Sequence, residues 1–432
     1  LAASMFLSPR RSAFTPLSPL TAACLLLAAA SCSSRPNPPA TGSAPSSTTT
    51  TSVPRAVRIS QGSDVLSMDP DAQSESPTFS VLRNLFDPLT DLDAENQLVP
   101  CLAERWEPES PTRWLFHLRP GVRFHDGQPF TADDAVFSIL RALRDPRSRM
   151  QSEIQTIAGA EAITSLTLRV ATVAPDSILP LRLAMILMLN KESAQAGLAR
   201  EGDGYLAAHA NGAGPYRLEL WRKDERCVLR ANEDYWGGAP RVQRLEFLPV
   251  SNEATRMAAL ERGDVDILVN VPTRSVARVG RDPRYRLVER PGLRLIYLGL
   301  DCGREKSPGI LEPADRNPLK DPRVRRAIAL AIDQRLIADK IMDGHAQGAD
   351  QLLPEGVTGH DPSIQPLRPD ADQARKLLAE AGYPGGFSIR LDGPNDRYVN
   401  DEKILQAVAQ QLARVGLGVT VNSQPKARFF AD

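Results

Sequence analysis

The apolar residues of this chain change their spacing repeatedly, and each change marks an element. Phe116 and Leu118, then Val122 and Phe124, stand two apart, as in half-buried strands. Asp126-Gly127 is a hairpin-type turn signal. Thr131 followed by Asp134 has the form of a capping box, with Asp in place of the usual Glu or Gln. Val136, Ile139, Leu140 and Leu143 then fall on one helix face. The region from Trp114 to Arg141 therefore reads as strand, turn, strand, turn, helix.

The same reading predicts a first strand over 57–60, a turn at Ser67-Met68-Asp69-Pro70 and a helix over 82–89. Strands follow at 166–173, at Leu245 and Phe247, from Val265 and Ile267, and over 294–300. A helix over 254–262 ends at Gly263, which suits a left-handed cap. Asp321-Pro322 opens another helix, with Asp as N-cap and Pro at the first helical position. Its buried stripe is Val324, Ile328, Ala331 and Ile332. Asp333 caps the next, which stops at Gly344. Leu377, Leu378 and Ala381 line a helix ending at Gly382, and a last one covers 401–415 before Gly416. Strands alternating with helices predict an α/β architecture.

Composition narrows the function classes. Lys plus Arg total 52, as do Asp plus Glu, so no net field favours nucleic acid or an anionic membrane as a partner. The N-terminal segment has the layout of an export signal. Arg10 and Arg11 are followed by an apolar run over 22–30, and small residues precede Cys32. Residues 33–53 are low-complexity Ser, Thr, Pro, Ala and Gly, which cannot bury a core and suit a flexible tether. Cys101, Cys227 and Cys302 are too irregularly spaced for a metal framework. One disulfide plus a free thiol, or buried thiols packed as small hydrophobes, are the open alternatives.

Several segments, in order, resemble one family. The Trp114–Arg141 stretch, the Ser67–Pro70 turn and Leu98–Trp106 each match a family motif. So do Gly212-Ala-Gly-Pro-Tyr216, the RANEDYWGGAPRVQRLEF run ending at Phe247, DPRVRRAIALAIDQRLI from Asp321 and ARKLLAEAGY ending at Tyr383. The family is the extracellular solute-binding proteins of family 5, the oligopeptide-, dipeptide- and nickel-binding lipoproteins of ABC importers. The resemblance implies a two-lobed periplasmic-binding-protein fold (type II, Venus-flytrap) with an extra small domain. The implied layout is a signal peptide over 1–32 and a tether over 33–55. Lobe I takes 57–68 plus 214–290, the small domain 69–213, and lobe II 293–432. Cys32 resembles a lipobox cysteine and would then carry a lipid anchor at the outer face of the cell membrane; an ordinary secretory signal is the other reading. The motif that carries the ligand-amine Asp in peptide-binding relatives is expected after Asp432, so the resemblance implies a C-terminally truncated second lobe.

Enzyme signatures do not emerge. GxxxxGK[ST], HExxH and GxSxG are missing, and the five histidines are never at i, i+4, so no catalytic residue, metal or cofactor is expected. Asp133-Asp134 read as helix-start residues, and Asp264 and Asp266 share one side of a strand. The resemblance implies ligand contacts from Ser74, Glu75, Ser76 and Phe79, just after the Ser67–Pro70 turn, and from Asp301. It implies a small peptide as ligand and the importer's permease as partner. The alternatives are a nickel complex or other small solute, or a periplasmic sensor or chaperone on the same scaffold.

Overall fold

The computed structural model describes residues 56–290, 292–353, 357, 359–365 and 367–430. The export signal, Cys32 and the 33–55 tether lie outside them.

Three apolar cores organise the chain. The first lies under a five-stranded sheet ordered Ile267–Leu268, Ala56–Gln61, Arg244–Pro249, Arg226–Ala231, Tyr216–Arg222. The first three strands run parallel, and Arg226–Ala231 runs antiparallel to both of its neighbours. Val57 pairs with Leu245 and Ile59 with Phe247, so the two-residue period puts all four against one core with Leu82, Leu85 and Phe86. The second core belongs to an antiparallel sheet of Ala103–Ser110, Arg113–Leu118, Thr167–Thr172 and Ile157–Thr164. Phe116, Leu118, Leu168 and Val170 meet Ala135 and Ile139 of the helix Ala132–Arg144 there. Each such fully buried large apolar side chain contributes about 1.5–3 kcal/mol. The third core sits beneath Ile310–Glu312, Ser388–Pro394 and Gly418–Gln424, where Ile389 and Leu391 pack on Val324, Ile328, Leu378 and Leu412.

Local sequence rules set most helix ends. Thr131 and Asp134 form the capping box, with the Thr131 N–H donating to Asp134 Oδ2 at 2.9 Å. Asp321 and Asp333 accept from Arg323 N and Leu336 N, at 2.8 Å each. Gly263 closes Glu253–Arg262 at φ +77°, the left-handed cap expected there.

Four expectations need correction. The helix after the Ser67–Pro70 turn spans Ser76–Leu85, not 82–89. Pro77 starts it, and Asp87, preceding Pro88, is biased away from helical backbone. The strand expected at Val122–Phe124 is a single bridge between Arg123 and Pro129, because the turn at Gly127 closes at once. Residues 294–300 form no ladder among the described residues; Leu298 and Leu300 pack on the third core instead. The helix capped by Asp333 ends at Lys340, with the Gly344 N–H turning back to Ala338 O at 2.9 Å. Cys101, Cys227 and Cys302 are all unpaired, the first two buried; burial pushes the Cys227 thiol up to about 12.

Among the described residues no helix is long and apolar enough to cross a membrane.

Candidate ligand cleft

The helix Ser76–Leu85 carries its C-terminal end against two glycines. A Cβ on Gly212 would lie 2.1 Å from Leu85 O, and one on Gly214 would lie 2.6 Å from Leu85 C. Only glycine lets this loop approach so closely, and the Gly214 N–H bonds Leu85 O at 3.0 Å. His125 clamps the same loop, with Nε2 donating to Gly214 O at 3.1 Å. Burial holds that imidazole neutral, lowering its pKa to about 4. Beyond the helix, the Trp236 indole donates to Asp87 Oδ2 at 2.7 Å. Burial pushes the Asp87 carboxyl up to about 7, partly opposed by the hydrogen bonds from Trp236 and Tyr235. The motif residues of Gly212–Tyr216 and of the Tyr235-Trp236 turn are thus structural. They fix the helix whose other end is polar.

Upstream of that helix, Arg141 of the helix Ala132–Arg144 grips the turn at Asp69. It donates to Asp69 Oδ1 and Oδ2 at 2.9 and 2.6 Å, and it also bonds Asp71. These groups are nearly fully buried, a setting in which removing one partner leaves an uncompensated charge.

Between these two anchors the helix N-terminus meets a seam with Arg294 and Lys426. Glu75 is the N-cap residue, in extended conformation, and its side chain caps nothing. Instead both carboxylate oxygens lie 3.3 Å from Lys426 Nζ. The Ser76 hydroxyl accepts from Arg294 at 3.1 Å. Arg294 and Arg397 each place a guanidinium 5.4 Å from the centre of the Tyr398 ring, a cation–π arrangement. Desolvation and the neighbouring Arg397 lower the Arg294 pKa. Farther along the seam, Thr273 Oγ1 donates to Asp343 at 2.7 Å and accepts from Asn400 at 3.1 Å.

Arg397, Tyr398 and Lys426 come from one place in the fold. Strands Ser388–Pro394 and Gly418–Gln424 are parallel, and both end at the seam. Their continuations, Asn395–Asn400 and Pro425-Lys426, are tied by Asn395 N–H to Gln424 O at 3.0 Å. Asp401 then takes the Arg397 and Tyr398 backbone N–H groups at 2.9 and 3.0 Å, fixing the loop. The carboxyl ends of parallel strands are where open α/β sheets present ligand groups.

Of the residues expected to bind ligand, Glu75 and Ser76 lie in this seam and Ser74 is exposed beside them. Phe79 does not line it. Its side chain is 5 % exposed and belongs to the first core. Asp301 joins a turn elsewhere, accepting from Arg304 N at 3.3 Å, while its backbone oxygen takes Asn317 Nδ2 at 2.7 Å. Arg294, Arg397, Tyr398 and Lys426 were not foreseen. The last three stand just past the ends of Ser388–Pro394 and Gly418–Gln424, strands not among those expected from the sequence. Asp266 pairs with Arg58 and Asp264 with Arg262, away from the seam. Two open hollows, about 790 Å³ beside Arg326 and Asp370 and about 560 Å³ beside Asp134 and Lys191, contain none of the seam residues. Among the described residues no three His, Cys, Asp or Glu side chains gather as a metal site.

With that geometry in place, comparison with known proteins is informative. Residues 97–432 match the family model described as bacterial extracellular solute-binding proteins, family 5 Middle. The glutathione-binding protein GsiB of Pectobacterium atrosepticum is 27% identical over 370 residues, 84% of this chain and 68% of that protein. The dipeptide-binding protein of Escherichia coli is 28% identical over 316 residues, 68% of this chain and 57% of its own length. The chain thus spans only about three fifths to two thirds of these relatives. Among solved structures, the ABC transporter-associated periplasmic binding protein DppA from Helicobacter pylori, in complex with peptide STSA, superposes with TM-score 0.74 at 24% identity. That superposition covers 87% of this chain and 74% of that one. At that identity the likeness establishes the fold, two lobes with an additional small domain.

Proposed function

Because the chain belongs to the bacterial extracellular solute-binding proteins of family 5, we propose that it is the extracytoplasmic binding component of an ABC importer. It holds short peptides between its lobes and hands them unchanged to the permease. The observation that carries this reading is the charge arrangement across the seam. Glu75 offers a carboxylate from the first lobe, and Lys426, Arg294 and Arg397 offer cations opposite it. A peptide with free ends carries the complementary pair, an ammonium and a carboxylate. Its backbone can be held as an added strand while its side chains stay in hydrated space. Ligand that touches both lobes only when they are closed shifts the population towards closure. The permease can then respond to closure whatever the side chains are.

Lipid anchoring through Cys32, and the lobe boundaries at 57–68 plus 214–290, 69–213 and 293–432, belong to the same proposal.

Calorimetry on the whole chain tests it, with dipeptides, tripeptides including glutathione, and a nickel–histidine complex as probes. Saturable 1:1 binding of a peptide is expected. Glu75→Gln and Arg397→Gln should each weaken it about tenfold or more, as loss of a charge-assisted hydrogen bond does. Binding of the nickel complex with no response to any peptide would move the assignment to the chelate. Conversion of a bound peptide into products would end it.

A further inference from the structure

We propose that the arginine-rich segment from Arg274 to Arg290 is a docking surface for anionic phospholipid headgroups. The chain as a whole is neutral, but residues 274–290 hold six arginines against two acids, Asp282 and Glu289. On the helix Thr273–Arg281 the buried residues are Ser275 and Val279. Arg274, Arg278 and Arg281 follow the i, i+4, i+7 spacing and form one exposed stripe on another side, about 10 Å long at 1.5 Å per residue. Arg284, Arg286 and Arg290 extend it along the irregular segment beyond the helix, and all three are exposed. Nearby acids are already engaged. Glu261 pairs with Arg278, Asp282 with Arg284, and Glu289 with His345. Among the described residues no carboxylate bonds Arg274, Arg281, Arg286 or Arg290.

Several features favour a headgroup layer over a single small anion. The cations are spread along two consecutive elements and do not converge on one point. All are guanidiniums, which match phosphate oxygens with paired donors. Val288, 46% exposed among them, adds an apolar contact of the kind an interface accepts. A basic cluster is attracted to an anionic surface within a Debye length, each added Arg strengthening the hold. The helix also begins at Thr273, which bonds Asp343 and Asn400 across the seam. Docking there brings the rim of the cleft to the bilayer. The proposal does not depend on which solute the cleft holds.

Co-flotation of the whole chain tests it, with vesicles of 30% phosphatidylglycerol in phosphatidylcholine and vesicles of phosphatidylcholine alone as probes. Binding to the anionic vesicles in excess of the neutral ones is expected, weakening as salt is raised. The triple variant Arg274→Gln, Arg281→Gln, Arg286→Gln should lose that excess by about tenfold or more. A control that removes three exposed arginines elsewhere, Arg105→Gln, Arg200→Gln, Arg335→Gln, should keep it. Equal binding to both vesicles, an unaltered triple variant, or an equal loss in the control overturns the assignment. So does capture by an acidic polypeptide, poly-glutamate, without capture by vesicles, which would make the partner a protein. A thermal transition matching wild type shows that each variant is folded, and solute calorimetry remains a separate readout.

Discussion

Glu75 and Phe79 are one helical turn apart, with the Phe79 N–H bonded to Glu75 O at 2.9 Å, yet they do opposite work. Glu75 reaches across the seam and Phe79 fills the first core. Phe79→Ala is therefore expected to cost about 3–5 kcal/mol of stability, seen as a lower urea midpoint, while the folded fraction binds solute as before. Asp87 gives a pH-dependent test. Its folded pKa, about 7, lies above its ordinary 3.8 because burial disfavours the charge. The folded state holds that proton more tightly, so the group's contribution is complete below about 4 and is lost as pH rises through about 7. Asp87→Asn should keep a hydrogen-bond acceptor for Trp236 without the charge. Thermal melts from pH 5 to 8 should show wild type losing stability relative to the variant. Parallel profiles would place the Asp87 titration elsewhere.

Elements were legible wherever a short-range rule sets them. Caps at Asp321 and Asp333, the stop at Gly263 and the box at Thr131–Asp134 each involve residues within one turn. Asp134→Ala should cost about 1–2 kcal/mol, since it removes the box and also the bond from Lys191 N–H to Asp134 Oδ1, 2.9 Å long. A shift of the denaturant midpoint with an unchanged slope is the expected reading. Gly212→Ala should be destabilising by about 1–3 kcal/mol or more, because its methyl would meet Leu85 O. Elements were misread where alternation was taken for a strand. Residues 294–300 alternate because Leu298 and Leu300 seek the third core, and periodicity alone does not say whether a neighbouring strand supplies hydrogen bonds. The helix Ser76–Leu85 begins earlier than the expected 82–89, with Pro77 in its first turn, where proline is tolerated.

At the scale of the whole molecule, the order of motifs pointed to the fold, but the seam was only half legible. Glu75 and Lys426 are 351 positions apart, and no local pattern announces that they meet. Ligand groups gather past parallel strand ends, but Ser388–Pro394 and Gly418–Gln424 were not among the strands expected, so Arg397, Tyr398 and Lys426 went unmarked. The same pair sets an expectation for closure. Lys426→Met removes the ion pair with Glu75 across the seam, so small-angle scattering on the solute-free variant should show a larger radius of gyration than wild type. Raising salt should expand wild type towards the variant, because a partly exposed pair is screened. The most direct measurement is a crystal structure of the whole chain grown with the peptide selected by calorimetry. The account expects intact peptide in the seam, its ammonium at Glu75 and its carboxylate near Arg397 or Lys426. Peptide seated only in the hollow beside Arg326, or cleaved in the seam, would contradict it.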